Sequence, residues 1–518
     1  MVRNKWLHFH FIIVTSLNLN AILQPLMAAS VHENVSLFVE TKQGLVKGFK
    51  GTSRVGKTVR IFYGIPYAEP PVGNLRFQRP VEKEPWTGVL EATTKPNSCV
   101  QTVIEPYGPN TNLSEDCLKL NVWAPEQSHK QDKFAVLVWI HGGGFCSGSS
   151  TLDIYDASTL VSEEMVIVVS FNYRVASLGF LSFGNELVPG NAGLHDQRLA
   201  MKWVKNNIGA FGGDENRITI FGESSGAVSI GFHLLSHFSR TLFKRAILQS
   251  GSAFAPWGFR DNATARGLAE ALAVALNCSD ALDNTTLQCL LNKDAEEILK
   301  NEKRPSGIVE FMFLPVQGDD SITNFTQVLS GSGTFSNDKA VLLGSNANEG
   351  SFFLEKFLGH PAMTEPNEVT EENFMAVIKA LNPGAGEPPV DKILDVYGGV
   401  IPSSTEEKLS VLDAIVSDYH FTCPVVQFSD LLGKGDASVY QYLFAHRSSR
   451  NRLPEWTGVT HGEEIAFEFG EPLNETQEWD EVERILSANF MRYWANFAKT
   501  GYVFYKSLGL HDVFAMRA

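Results

Sequence analysis

The sequence predicts an α/β fold in which one large, mostly parallel sheet is covered by helices on both faces. Short apolar runs alternate along the chain with segments of helical spacing, and this alternation is typical of such a sheet. The runs are continuously apolar, which indicates strands that are buried on both faces. No internal repeat or low-complexity segment interrupts the pattern. We therefore expect one large doubly wound domain.

Six apolar runs are the best strand candidates. In chain order they span residues 135–140, 165–171, 218–221, 245–250, 340–344 and 438–444. Helical patterns lie between them, as in residues 196–208, where Leu199, Trp203 and Ile208 recur near helical spacing. Ligands of doubly wound sheets bind beyond the carboxyl ends of the strands. The residues that directly follow each run are therefore the candidates for function.

Composition and charge narrow the class of partner. Of 518 residues, 44% are hydrophobic and 19% are charged, which is ample apolar material for a large core. The formal net charge of -15 argues against nucleic acid, because a surface that binds nucleic acid needs clustered Lys and Arg. A neutral or cationic small molecule is the better fit.

The first thirty residues are typical of a secretory signal. Arg3 and Lys5 precede an apolar stretch that ends in the small residues 28–30. His and Asn residues interrupt that stretch, and no later stretch is long and apolar enough to span a bilayer. We therefore expect a cleaved signal over residues 1–30, a domain over residues 31–501, and a secreted, extracellular protein without a transmembrane segment.

Sequons and cysteines agree with secretion. The candidate glycosylation sites are Asn34, Asn112, Asn262, Asn277, Asn284, Asn324 and Asn474. Four of the six cysteines form close pairs that can close small disulfide loops in an oxidising compartment, Cys99 with Cys117 and Cys278 with Cys289. The pairing of Cys146 and Cys423 is left open.

Ser224 lies in the pattern Gly222-x-Ser224-x-Gly226, the short form of a nucleophile elbow. The pattern alone is weak, because glycine is abundant in this chain. Its context is stronger, since a strand candidate precedes it and a helical segment follows, and the elbow requires this order of strand, turn and helix. A side chain at either glycine would collide with the neighbouring strand or helix. Ser224 is therefore the candidate nucleophile.

Three other strand ends supply the remaining parts of a hydrolytic site. A glycine loop, residues 142–144, follows the first run, Glu349 follows the run 340–344, and His461 follows the last run after a loop. Serine, acid and histidine in this chain order are the order of an acyl hydrolase on a parallel sheet. A glycine-serine-glycine pattern that arose by chance would have no reason to occur with a glycine loop, an acid and a histidine after the other strands. The site is therefore predicted from all four loops together.

The chemistry gives each part a role. A serine hydroxyl is a weak nucleophile near neutral pH, so His461 would take its proton, and Glu349 would hold the imidazole in the right tautomer. The backbone amides of an oxyanion hole would donate to the developing negative charge. These amides are predicted to be those of Gly143, Gly144 and Ser225. No zinc-binding spacing occurs in the sequence, and neither a metal nor a cofactor is expected.

These residues lie in longer stretches by which the chain resembles the type-B carboxylesterase/cholinesterase family, from residue 38 to about residue 501. The stretches include YGIPYAEPPVGNLRF, SEDCLKLNVWAP, VWIHGGGFCSGSS, FGGDENRITIFGESSGAVS and PEWTGVTHGEEIAFEFG. Through NEGSFF, PEWTGVTHG and RYWANFAKTG the chain is most similar to members that resemble acetylcholinesterase and butyrylcholinesterase. The resemblance implies the α/β-hydrolase fold, a carboxylic ester substrate, organophosphate or carbamate inhibitors, and a monomer or weak homodimer.

The resemblance also implies a weakened choline site. Family members hold the quaternary ammonium against a tryptophan, the strongest partner for a cation over an aromatic ring. Tyr107 stands at that position here. Phe352 matches a second aromatic residue of the site, and Glu223 supplies a carboxylate beside the nucleophile. Recognition of choline is expected to be degraded rather than lost.

The acyl pocket and the entrance depart from the family as well. Trp257 and Phe311 match aromatic walls of the acyl pocket, but Val309 replaces a phenylalanine of acetyl-selective members, which implies room for longer acyl chains. A peripheral cation site is not expected, because its positions carry Thr102, Ile104, Cys146 and Lys300. The plainer interpretation, which we favour, is that these residues are only walls of an ester pocket.

Residues 502–518 replace the C-terminal region expected from the family, including the cysteine that would pair with Cys423. This atypical tail supports a rival hypothesis, a catalytically silent adhesion or binding protein, or a scavenger of esters and organophosphates. The intact serine, acid and histidine favour the enzyme.

Overall fold

Fourteen strands lie within residues 37–102, 111–126, 133–317, 322, 338–358, 368–381, 389–436 and 438–503, which are the residues that the computed structural model describes. In chain order the strands are β1 (Phe38–Glu40), β2 (Leu45–Lys47), β3 (Phe49–Thr52), β4 (Thr58–Pro66), β5 (Val89–Glu91), β6 (Ser98–Cys99), β7 (Leu113–Ser114), β8 (Lys119–Pro125), β9 (Phe134–Ile140), β10 (Ile167–Phe171), β11 (Gly213–Glu223), β12 (Arg245–Gln249), β13 (Ala340–Asn346) and β14 (Val439–Phe444).

Helices follow most of the central strands. They are α1 (Ser158–Glu164), α2 (Ala176–Phe180), α3 (Ala192–Asn207), α4 (Ser225–Leu235), α5 (Asn262–Ala275), α6 (Asn284–Leu291), α7 (Ala295–Lys300), α8 (Ser351–Phe357), α9 (Glu371–Ala380), α10 (Val390–Val396), α11 (Thr405–Ser417), α12 (Cys423–Leu432), α13 (Ile465–Glu468) and α14 (Glu481–Thr500). A π-helical turn, Asp418–Thr422, joins α11 to α12. None of the helices in the described parts of the chain is long and apolar enough to cross a membrane.

Nine of the described strands form the central sheet, in the order β14-β13-β12-β11-β9-β10-β8-β4-β3. Neighbouring strands from β10 to β14 are parallel, whereas β3, β4 and β8 pair antiparallel with their neighbours. The predicted mostly parallel sheet is therefore confirmed. The register of β11 on β9 pairs Gly222 with Ile140, so the loops that follow these two strands emerge side by side.

Both faces of the sheet are covered by helices. Alternate residues of β9 point to opposite faces, as the period of a strand requires. Val136 and Val138 lie in the core under α3 and α4, whereas Leu137 and Trp139 lie in the core under α1 and α14. This double burial is the reason that the strand is continuously apolar.

The helix boundaries have local causes. Helix α14 begins with a capping box, in which the Asp480 side chain accepts from the Glu483 amide and Glu483 accepts from the Asp480 amide. It ends at Gly501, whose φ of 84° lies in the left-handed region that glycine adopts without strain. The helix expected over residues 196–208 is present as the longer α3.

All six strand candidates are strands, and each differs from its predicted bounds by one or more residues. The run 165–171 begins too early, because Met165 caps α1 in the left-handed conformation. The run 218–221 is the end of the longer β11. The expectation of burial on both faces is wrong for β14, which is half-buried because it is the last strand on its side of the described sheet.

Candidate active site

Ser224 lies in a tight turn between β11 and α4. Its φ of 56° and ψ of -124° fall outside the regions that residues with a side chain normally adopt, so the turn is strained. The Ser224 amide donates to Gln249 O (2.8 Å), and Ser224 O accepts the first helical bond from the Val228 amide (3.0 Å). The strand, turn and helix expected around this residue are present.

The two glycines beside Ser224 are required by close packing. A Cβ at Gly222 would lie 2.4 Å from Ile140 O, and a Cβ at Gly226 would lie 2.0 Å from the same oxygen. Both distances are far below van der Waals contact. The backbone of the turn is therefore pressed against the end of β9, and only glycine fits on either side of the serine.

His461 and Glu349 meet at the same edge of the sheet. Glu349 follows β13, is fully buried, and has its Oε2 2.6 Å from His461 Nδ1. Its second oxygen, Oε1, accepts from the Asn346 amide at 2.7 Å. Both carboxylate oxygens are thus engaged. The carboxylate assigns the imidazole proton to Nδ1, which leaves Nε2 to face the site.

His461 Nε2 faces Glu223 rather than Ser224. Nε2 lies 2.9 Å from Glu223 Oε1, although neither atom has a well-directed hydrogen bond. Within the described residues, the Ser224 hydroxyl makes no hydrogen bond with His461. The structure therefore brings the serine, the histidine and the acid to one edge, with the imidazole held between two carboxylates.

The two carboxylates control the charge of the imidazole. Burial alone would lower the pKa of His461, because it penalises the charged form. The negative charges of Glu223 and Glu349 outweigh burial and hold the pKa of His461 well above its usual range. In the arrangement described, the imidazole is thus stabilised as the cation.

A further carboxyl group lies behind the histidine. Glu464 is fully buried and accepts from Asn346 Nδ2 (2.6 Å) and Gln249 Nε2 (3.2 Å). Burial, together with the charges of Glu223 and Glu349, raises the pKa of Glu464 to about 8. Sequence reasoning missed this residue, because three glutamates follow His461 within residues 462–468 and the sequence does not distinguish the buried ones.

The glycine loop contacts Ser224 from the adjacent strand. A Cβ at Gly142 would lie 3.1 Å from Ser224 Cβ, so the loop and the elbow touch. Gly143 and Gly144 have φ of 109° and 62°, values that favour glycine. Ser225, the third predicted amide donor, is the first residue of α4. The three predicted donors thus lie in the loop after β9 and at the start of α4, and their role as oxyanion donors stays a prediction.

An aromatic cluster lines the site next to His461. Trp257 packs at 5.7 Å, centroid to centroid, against both Phe311 and Phe421. Phe421 lies 4.8 Å from the His461 ring and stacks at 5.4 Å on Phe353. Sequence reasoning missed Phe421 and Phe353. Phe421 sits in the π-helical turn, a conformation that recurs at functional sites but has no sequence pattern to reveal it.

The structure places the other predicted binding residues at different locations. Phe352 lies 6.4 Å from the His461 ring, and Val309 is buried. Tyr107 and Ile104 lie outside the described residues. Thr102 is exposed, and Lys300 is an exposed residue of α7 that pairs with Glu296 at 3.4 Å. For all of these, the assigned role in binding stays a prediction.

Both predicted disulfides are formed, Cys99 with Cys117 and Cys278 with Cys289. Cys146 donates to Gly143 O (3.3 Å), and Cys423 is exposed. Four sequons carry an exposed asparagine, Asn112, Asn262, Asn277 and Asn284, and Asn474 is half-exposed. Asn34, Asn324, the leader 1–30 and residues 504–518 lie outside the described residues.

Comparison with known proteins identifies the family of the chain. The family model described as the carboxylesterase family matches residues 35–506. The chain is 42% identical over 481 residues to the acetylcholinesterase of Bungarus fasciatus, which covers 90% of this chain and 78% of that protein. It is 41% identical over 487 residues to the cholinesterase of Mus musculus, which covers 91% of this chain and 80% of that protein.

Proposed function

The chain belongs to the carboxylesterase family, and from this premise we propose that it is a secreted serine hydrolase that cleaves carboxylic esters through an acyl-enzyme on Ser224. The observation that carries the proposal is the 2.6 Å contact between His461 and Glu349 beside a serine held in a strained turn. The family supports an ester hydrolase in general. The catalytic residues and the secretion belong to our proposal.

In the proposed reaction, Ser224 Oγ attacks the carbonyl carbon of the ester while its proton passes to His461 Nε2. The amides of Gly143, Gly144 and Ser225 donate to the oxyanion of the tetrahedral intermediate. Collapse of the intermediate breaks the bond to the alcohol, which leaves with the proton from His461. A water molecule then attacks the acyl group in the same way, and the carboxylic acid is released.

The charge of the site supports small neutral or cationic esters. Glu223 is 5% exposed, lies next to the nucleophile in the chain, and has its carboxylate 2.9 Å from His461 Nε2. Both relatives are cholinesterases by name, so choline esters are natural candidates. We propose a weakened choline site, because Tyr107 provides a poorer face for a cation than the tryptophan of the family.

A panel of esters tests the proposed function. The full chain is assayed with acetylthiocholine, butyrylthiocholine and the p-nitrophenyl esters of acetate and butyrate, and Ser224 is examined for labelling by diisopropyl fluorophosphate with mass spectrometry. The proposal expects turnover of the neutral esters and one phosphoryl group on Ser224. Labelling without turnover would identify the scavenger, and neither labelling nor turnover would favour the silent binding protein.

In the pH profile of kcat/KM, activity is expected to fall on the acid side at a pH above the ordinary histidine pKa of about 6.5. This fall is the acid limb of the profile. Only the neutral imidazole accepts the proton from Ser224, and two carboxylates hold the pKa of His461 well above its usual range against the effect of burial. Activity should therefore be lost as the pH falls through that raised pKa. Glu223→Gln removes one negative charge and should move the acid limb to lower pH.

The measurement is kcat/KM for an uncharged ester from about pH 5 to pH 9. Glu302→Gln is the matched control, because Glu302 is a carboxylate that accepts from the Ser177 amide on another part of the protein (2.9 Å). It should leave the acid limb in place. A profile of Glu223→Gln that coincides with that of the wild type would show that Glu223 does not control the charge of His461.

Phe421 is expected to restrict the acyl chain that Val309 would otherwise admit. Its ring is fully buried and packs between Trp257 and His461, so it fills space on the acyl side of the site. Phe421→Val should raise the ratio of butyrate to acetate hydrolysis by about tenfold, since one methylene in such a pocket is worth about 1–3 kcal/mol. Val309→Phe, the opposite change, should lower the ratio. The ratio is measured with the p-nitrophenyl esters, and equal ratios in all three proteins would remove both residues from the acyl pocket.

A further inference from the structure

The carbonyl groups of the glycine loop are held on the side away from its two predicted donor amides. Gly143 O accepts from the amides of Cys146 (3.1 Å) and Ser147 (3.0 Å) and from Ser147 Oγ (3.2 Å). Gly142 O lies 2.9 Å from His141 Nδ1. In a trans peptide the carbonyl and the N–H of the next residue point in opposite directions. Fixing Gly142 O and Gly143 O therefore fixes the directions of the N–H groups of Gly143 and Gly144.

The loop turns back on itself at Gly148, which packs against Gly142 O. Gly148 has a φ of 107°, and a Cβ there would lie 2.3 Å from Gly142 O and 2.5 Å from His141 Nδ1. No side chain larger than hydrogen fits in that space. The backbone of Gly148 thus packs directly beneath the peptide that carries the first donor amide.

Gln101 holds Gly148 by both of its backbone groups. Gln101 Oε1 accepts from the Gly148 amide (2.7 Å), and Gln101 Nε2 donates to Gly148 O (2.8 Å) and to Cys99 O (2.9 Å). Gln101 is 3% exposed, so these bonds are shielded from water. Cys99 is joined to Cys117, so the side chain is anchored to a crosslinked loop. The mechanism described above does not use Gln101.

We propose that Gln101 is a positioning residue that sets the oxyanion hole, by clamping Gly148 under the Gly142–Gly143 peptide. The proposal rests on the proposed function, because an oxyanion hole has a purpose only if Ser224 attacks a carbonyl. Gln101 touches neither the substrate nor the reacting atoms. Its effect should therefore appear in the transition state and not in the binding of the ester.

Gln101→Ala is expected to lower kcat by about 10- to 100-fold, since the loss of one oxyanion donor costs about 100- to 1000-fold and a displaced donor costs less. KM should stay within about twofold, because ground-state binding does not use the hole. The affinity for a trifluoromethyl ketone, to which Ser224 Oγ adds to give a hemiketal that carries the oxyanion, should fall in parallel with kcat/KM. A merely structural role would not produce this split between kcat and KM.

Two further variants make the result decisive. Gln43→Ala is the matched control, because Gln43 is a buried glutamine that accepts from Asn207 Nδ2 in another part of the fold, and it should leave kcat unchanged. Gln101→Asn keeps the amide group but draws it back by one methylene from Gly148, so its kcat should lie between wild type and Gln101→Ala. If thermal unfolding shows that the alanine variant does not fold, this second Gln101 variant is used to test the proposal.

The outcomes separate the inference from the function on which it rests. A wild-type protein that hydrolyses esters, beside folded Gln101 variants with unchanged kcat and unchanged ketone affinity, would overturn the inference alone. A rise in KM with kcat unchanged would do the same. A wild-type protein without hydrolysis or reaction at Ser224 would overturn the proposed function, and this inference with it.

Discussion

Ser224→Ala is expected to lower kcat for p-nitrophenyl butyrate by about 10⁶-fold, the loss seen when the nucleophile of a serine hydrolase is removed alone. No other hydroxyl group replaces it in the turn, because Ser225 lies at the start of α4 and is fully buried. KM should change little. Residual turnover of about 10³- to 10⁴-fold over water is expected from the oxyanion amides and binding.

The same variant should fold normally. Within the described residues the Ser224 hydroxyl makes no hydrogen bond, so alanine leaves no buried partner unsatisfied. Alanine carries the same Cβ into the strained turn, so the backbone cost of the positive φ is unchanged. Ser162→Ala on α1, where Ser162 Oγ donates to Thr159 O (3.1 Å), is a matched control and should keep full activity. Activity of Ser224→Ala within tenfold of the wild type would require another nucleophile.

The parallel half of the sheet could be predicted from sequence because burial on both faces leaves a plain apolar signal. Strand β8 (Lys119–Pro125) escaped prediction because polar residues interrupt its pattern. Asn121 is fully buried there, donates to the hydroxyl groups of Ser150 and Ser170, and accepts from the Gly64 amide (3.1 Å). These hydrogen-bond partners satisfy the buried amide of Asn121, but they lie far from it in the sequence. A local pattern cannot reveal them.

The same distinction separates the predicted from the unpredicted part of the site. Ser224 and the glycine loop have short motifs, because their turns need glycine at fixed positions. No such motif indicates which side chain faces His461 Nε2. The contact of Nε2 with Glu223 depends on how the loop after β14 packs. Phe421 and Gln101 are hidden for the same reason, since each acts through residues that are distant in sequence.

Glu349→Gln is expected to lower kcat by about 10⁴-fold, although the two side chains have nearly the same shape. Glu349 Oε1 accepts from the Asn346 amide at 2.7 Å, and only the oxygen of a glutamine can replace it there. The NH₂ group of the glutamine must then face His461 Nδ1, which has to accept a hydrogen bond. The proton of the imidazole moves to Nε2, and Nε2 can no longer take the proton from Ser224.

Glu468→Gln separates this tautomer effect from the loss of a buried carboxyl group. Glu468 is the last residue of α13 and is fully buried, and burial, together with the charge of Glu464, raises its pKa well above the usual range. Burial favours the neutral form of its carboxyl group, which glutamine resembles, so Glu468→Gln should leave kcat close to that of the wild type. The measurement is kcat for an uncharged ester at the plateau of the pH profile, with thermal unfolding as the check on folding. If folded Glu349→Gln lost less than about tenfold, the acid would not set the tautomer of His461, and the bond from Asn346 would not matter for catalysis.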